Sequence, residues 1–128
     1  VNVESRGVAF PVRVDATGGI AESAGGERIR QSIQVILGTR PGERVMRPDF
    51  GCELHSLAFA PNTPATANLA RHYVESALAR WEPRIEVAGV NVANDLRAGS
   101  LVITVGYRIR GAGDERVLTL PFSLEQPS

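Results

Sequence analysis

Cys52, His55 and His72 are the residues in this chain that could bind a transition metal or run thiol chemistry. Cys52 and His55 stand in a Cys-x-x-His spacing, but a tetrahedral metal site needs further ligands, and only one more imidazole exists to supply them. The same pair could serve as nucleophile and base, yet Cys52 sits in no recognisable activating context, so a buried thiol is the expected role. Asp49, Glu53 and Glu82 are the carboxylates to weigh for glycoside hydrolysis, which needs two acids flanking a sugar cleft. Their separation along the chain does not set their distance in space, and an aromatic content of 5% leaves few rings to stack on sugars. No glycine-rich phosphate loop precedes a helix, and no Gly-x-Ser-x-Gly elbow occurs. These residues predict no catalytic set, no metal and no cofactor, and hence no enzyme.

Composition narrows the partners. The chain has 128 residues, enough for one domain with its own core and no need of disulfides or metal. A single cysteine gives no sign of an oxidising compartment, and Val1 to Gly7 lack the pattern of a secretory signal, so a cytoplasmic site of folding is expected. The longest apolar runs fall far short of the ~20 residues that span a bilayer, which predicts no membrane partner. Formal charge is zero, with 14 basic and 14 acidic residues, and this removes the main drive for nucleic-acid binding. Every basic residue is Arg. Arg is enriched at protein interfaces, which favours a partner-binding surface, although a genome poor in lysine codons produces the same bias.

The elements that must position these residues follow from periodicity. Val8, Phe10, Val12 and Val14 alternate at period 2, and Pro11 sends this strand to a sheet edge. Thr17-Gly18-Gly19 makes a turn, Ile20 begins a return strand, and Gly25-Gly26 breaks the chain. Ile29, Ile33, Ile36 and Leu37 then share a helical face, with the stop at Gly38, a residue suited to a left-handed cap. Thr39 to Pro64 carries too many prolines and glycines for one regular element, with Leu54, Leu57 and Phe59 expected to pin it to the core. Thr63-Pro64 is a helix start, and Leu69, Tyr73, Ala77 and either Val74 or Leu78, with Trp81 one turn later, mark the buried face of a second helix that Pro83 ends. From Arg84 the period returns to 2: Ile85 and Val87, then Val90 and Val92 after a bulge at Ala88-Gly89, then Leu101 to Ile109, then Leu118 to Phe122. The expected fold is α+β within residues 1–128, with two helices on a mainly antiparallel sheet of three C-terminal strands. An N-terminal edge strand or hairpin over 1–24 and a flexible tail over 125–128 complete it.

Two blocks remain unexplained by packing alone: Gly42 to Gly51 (Gly-Glu-Arg-Val-Met-Arg-Pro-Asp-Phe-Gly) and Glu82-Pro83-Arg84. Together with the Ile29-Arg30-Gln31-Ser32-Ile33 helix and Leu37-Gly38-Thr39, they resemble the baseplate wedge family of contractile phage tails, type VI secretion baseplates and extracellular contractile injection systems. The resemblance runs from about Phe10 to Phe122. It implies a structural subunit, six copies to a baseplate, that links the central spike or hub to the wedge proteins and templates the first sheath layer by strand addition. It also implies likeness in fold to the sheath's interlocking domain. Strand addition is physically reasonable, because main-chain donors and acceptors are common to every sequence. On this reading Leu101 to Arg110 and Arg116 to Phe122 face the sheath, through Val105, Tyr107, Ile109, Leu118 and Leu120. Glu82, Pro83 and Arg84 either meet neighbouring subunits or brace the chain internally. Glu43, Arg44, Pro48 and Phe50 either meet a partner or dock the loop that carries them. Members of the family are often labelled lysozyme-like, so a peptidoglycan-cleaving enzyme of the same particle is the competing expectation, and a monomeric binding module unrelated to any tail is a third.

Overall fold

A computed structural model describes residues 24–125 of the chain. The N-terminal strand or hairpin expected over 1–24 lies outside the described residues except for Ala24, which opens a helix instead, and the tail after Glu125 also lies outside them.

Helix α1 spans Ala24–Gly38 and carries Ile29, Ile33, Ile36 and Leu37 on one buried stripe, as their spacing requires. Its first turn includes Gly25-Gly26, where a chain break was expected. First-turn amides have no intrahelical acceptor in any case, so glycine is less costly there than in a helix interior. Its end also departs from expectation: Gly38 does not adopt a positive φ. Thr39 closes the helix instead, its hydroxyl donating to the Val35 carbonyl at 2.6 Å and its amide to that of Ile36 at 3.4 Å.

The loop that follows contains a short 3₁₀ helix, Glu53–Leu57, which turns Leu54 and Leu57 into the core. Phe59, expected beside them, lies beyond the end of that turn and is 71% exposed. Helix α2, Pro64–Trp81, starts as the sequence requires, with the Thr63 hydroxyl accepting from the Thr66 amide and Pro64 in the first turn. Its buried stripe is Thr66, Ala67, Ala70, Val74, Ala77 and Leu78. Leu69, placed on that face by the sequence reading, is 46% exposed, because it lies about 100° around the helix from Ala70.

Three strands complete the described fold: β1 (Ile85–Asp95), β2 (Ser100–Ile109) and β3 (Glu115–Ser123), antiparallel and in the order β1-β2-β3. The bulge expected at Ala88-Gly89 is present, since the β1–β2 register shifts between Val87 and Gly89. Leu101, Ile103, Val105 and Tyr107 from β2 and Leu118 from β3 meet both helices in one apolar cluster. Asn62 and Asn94 tie the start of α2 to the β1–β2 end: Asn62 donates to the Asp95 carbonyl at 3.0 Å, and Asn94 donates to Asn62 Oδ1 and to the Thr63 carbonyl, each at 2.8 Å.

One expectation about the sheet is corrected by its order. β2 is the central strand, with a partner on each side, so Val105, Tyr107 and Ile109 sit on a strand that has no edge to offer. Val105 and Tyr107, with Leu118 of β3, are buried in the core. Among the described residues, no helix is long and apolar enough to cross a membrane.

This packing generates a direct comparison. Leu101→Ala, which empties part of the helix–sheet core, is expected to lower unfolding stability by about 2–5 kcal/mol, while Leu69→Ala stays within about 0.5 kcal/mol of the parent. Chemical denaturation of both variants measures the difference.

Candidate functional site

The two motif blocks lie far apart in sequence and meet at the C-terminal end of α2. Trp81, the last residue of that helix, packs edge-on against Phe50, with ring centroids 5.0 Å apart at 62°. Around this pair the guanidiniums stack: Arg44 lies 5.0 Å above the Phe50 ring, and Arg47 and Arg80 lie 5.0 and 4.7 Å from that of Trp81. Arg80 also bonds Asp49. Cation–π contacts at exposed rings are individually modest, but three on two adjoining rings hold the loop and helix end in one arrangement.

The loop itself is closed by its backbone. Cys52 N–H donates to the Thr39 carbonyl at 2.9 Å, Gly42 N–H to that of Pro48, and Phe50 N–H to that of Arg47 at 3.0 Å. Glu43 accepts from the Arg40 amide at 2.8 Å. Gly51 has φ +134°, and a Cβ there would stand 2.5 Å from the Thr39 carbonyl oxygen, so any side chain would push the loop off the end of α1. Phe50 packs the loop against Trp81, Glu43 bonds within the loop, and Arg44 stacks on the Phe50 ring. Pro48 supplies the carbonyl that receives Gly42.

Next to Trp81 stands Glu82, whose carboxylate is buried, with 1% of its side chain exposed. One oxygen accepts from Arg84 Nε at 2.7 Å and from the Arg84 amide at 3.3 Å, and the other accepts from Arg84 Nη2 at 2.8 Å. The Ser32 side chain of α1 also favours the ionised form of Glu82. The Arg84 bonds hold the Glu82 carboxyl below the usual carboxylate range, outweighing the burial that pushes it up. The same bonds raise Arg84. Glu82 and Arg84 thus bond each other, and the turn between them is fixed from β2: Arg110 Nε donates to the Pro83 carbonyl at 2.8 Å, and its amide to that of Arg84 at 2.9 Å. Sequence reasoning missed Arg80 and Arg110 as parts of this site, named Ser32 only within the first-helix motif, and read Trp81 only as a core residue. Its position next to the Glu-Pro-Arg block was the one available signal.

The cysteine and histidine behave structurally. Cys52 is buried and donates to the Tyr73 carbonyl at 3.5 Å, and burial pushes its thiol up, the reverse of what a nucleophile needs. His55 Nε2 donates to the Leu37 carbonyl at 3.2 Å, and its ring meets Phe122 edge-on. Among the described residues, no group of three or more His, Cys, Asp or Glu is placed to hold a metal ion.

Comparison with known proteins adds what geometry does not. Residues 23–114 match the family described as baseplate wedge protein gp25. The chain is 36% identical to baseplate protein W of Escherichia phage P2 over 97 residues, covering 76% of this chain and 84% of that one. It is 32% identical to baseplate wedge protein gp25 of Enterobacteria phage T4 over 98 residues, covering 77% and 74% of the two chains. The crystal structure of a putative tail lysozyme from Geobacter sulfurreducens superposes with a TM-score of 0.75 at 41% identity, over 84% of this chain and 98% of that one. This last likeness corrects the expectation, drawn from the lack of a catalytic set, that the chain is no enzyme.

The Glu82–Arg84 pair generates a pH-dependent prediction. A carboxyl with a lowered folded pKa contributes stability that is whole above the unfolded value, about 4.3, and is lost as pH falls through the folded one. Arg84→Ala leaves Glu82 buried without its main partner. The variant is expected to lose about 1–2 kcal/mol at pH 7, a figure discounted because Arg84 is half exposed, and the gap to the parent should narrow as pH approaches 4. Thermal unfolding at pH 7, 5.5 and 4 checks both the loss and its narrowing.

Proposed function

Because the chain belongs to the baseplate wedge protein gp25 family, we propose that it is a baseplate subunit of a contractile phage tail or related injection particle, placed between spike or hub, wedge proteins and sheath. The coarse role follows from family membership. The observation that carries the finer one is the meeting of both motif blocks in a single braced surface at the end of α2. A loop docked by Phe50 on Trp81 and a turn locked by Glu82, Arg84 and Arg110 present several guanidiniums on a rigid frame, the kind of surface that binds another protein at low ordering cost. On this reading six copies surround the axis and the particle assembles in the cytoplasm.

Sheath templating by strand addition is supported by the outer edge of β3, which has no strand beside it among the described residues. Leu118 and Leu120 anchor that strand from its inner face, leaving main-chain groups on the edge to pair. Peptidoglycan cleavage is the other finer reading, and the comparisons weigh more heavily on its side: it has a named relative at 41% identity, whereas strand addition rests on geometry. If the chain cleaves cell wall, the acids that meet the sugar must be solvent-exposed carboxyls such as Glu53, since Glu82 is buried and bonded through both oxygens to Arg84.

Two experiments separate these readings. Electron microscopy of a deletion strain is expected to show no sheathed particles, and Val117→Lys, a charge on the exposed side of the edge strand, is expected to give baseplates that lack sheath. Complete contractile particles without the chain overturn the baseplate role. In a turbidity assay on purified cell walls, the cleaving reading expects clearing that Glu53→Gln abolishes. A folded chain that leaves the suspension unchanged removes that reading.

A further inference from the structure

The tip of the loop between Gly42 and Gly51 is exposed and apolar. Val45 is 92% exposed and Met46 87%. A lone exposed apolar side chain is ordinary on any protein surface and calls for no explanation. Three further observations set this pair apart. First, the tip is not a slack loop: backbone bonds close it at Cys52–Thr39, Gly42–Pro48 and Phe50–Arg47, and the close approach of Gly51 to Thr39 fixes its base. Second, the two apolar residues are flanked by Arg44 and Arg47, each held over a ring, Phe50 or Trp81. Third, the carboxylates on the loop are already engaged, Asp49 by Arg80 and Glu43 by the Arg40 amide, while neither Arg44 nor Arg47 has a carboxylate partner among the described residues.

From these we infer that Val45 and Met46 form a preorganised knob that inserts into an apolar pocket of a neighbouring protein, with Arg44 and Arg47 bonding carboxylates on the pocket's rim. The inference deepens the baseplate reading and rests on it. The chemistry is that of a binding hot spot. Two side chains lose water in the centre, and planar guanidiniums at the edge match carboxylates bidentately and exclude solvent. Methionine suits the centre because its unbranched, polarisable chain adapts to an irregular pocket. Because the loop is already ordered, little conformational entropy is lost on docking. An anionic membrane offers similar chemistry, but membrane-binding elements spread their apolar contact along an amphipathic helix or add a lipid anchor, and a two-residue knob on a tight loop offers far less.

The test uses assembled particles. Met46 is replaced by a photo-crosslinking phenylalanine derivative in the full chain, particles are purified and irradiated, and the crosslinked peptide is identified by mass spectrometry. The expected result is a crosslink to one particle protein, at a segment where apolar residues are bordered by Asp or Glu. Val45→Ser with Met46→Ser should reduce the chain recovered in particles by about tenfold or more, with thermal unfolding unchanged, since neither side chain is buried. Arg44→Glu with Arg47→Glu should also lower recovery, and reversing the mapped carboxylates to Arg should restore it, which a mere loosening of the loop would not allow. A crosslink to lipid, a crosslink to a segment without carboxylates, or no crosslink in particles that contain the chain each overturns the knob and leaves the baseplate role standing. Particles that assemble without the chain overturn that role instead.

Discussion

A buried carboxylate is the constraint around which the described structure is organised. Glu82 sits where α2 gives way to β1, with almost none of its side chain in water, and an ionised group in that position is tolerated only if its charge is met in place. Arg84 meets it with two guanidinium bonds and one from its amide, and Ser32 reaches it from α1. One side chain thereby joins the first helix, the end of the second and the start of the sheet. Pro83 holds the bend between the two charges, and Arg110 grips that bend from the end of β2. Moving any of these parts would expose or strand the carboxylate.

The aromatic surface is a consequence of that junction. Trp81 immediately precedes Glu82, so fixing the turn also fixes the platform on which Phe50 rests, and through Phe50 the whole loop from Gly42 to Gly51. Gly51 sets the other end, because only a residue without a Cβ can come so close to the Thr39 carbonyl. A loop rich in Arg, Pro and Gly would otherwise sample many conformations. Here two anchors and a short set of backbone bonds reduce it to one, and place arginines on a rigid face.

The two ends of the sheet do different work. At the α2–β1 junction the surface is charged and aromatic, whereas at the β1–β2 turn Asn62 and Asn94 bond main-chain groups and hold the fold together. β3, paired on one side only among the described residues, runs between these ends. On the proposed reading, the braced corner and the edge of β3 would give a baseplate subunit separate surfaces for its neighbours. Wall cleavage would have to be added to this frame through exposed carboxyls, since the buried one is committed to Arg84.

Most of the secondary structure was legible in the sequence because periodicity is a local property. Ile29, Ile33, Ile36 and Leu37 marked the first helix, Thr63-Pro64 opened the second, and alternation from Leu101 to Phe122, with the bulge at Ala88-Gly89, described the sheet. The motif blocks were legible too, as residues that packing did not require. Tertiary structure alone decided which segments meet. Nothing local to Phe50 or Trp81 states that their rings touch, that Glu82 loses its water, or that Arg110 holds the Pro83 carbonyl. The same applies to β2, whose alternation is that of any half-buried strand and which becomes central only when β1 and β3 close on it from both sides. Leu69 and Phe59 show the converse: apolar residues that local pattern sent inward lie outside, because the direction in which a helix or turn faces the core is set by the elements packed against it, not by the chain that carries it.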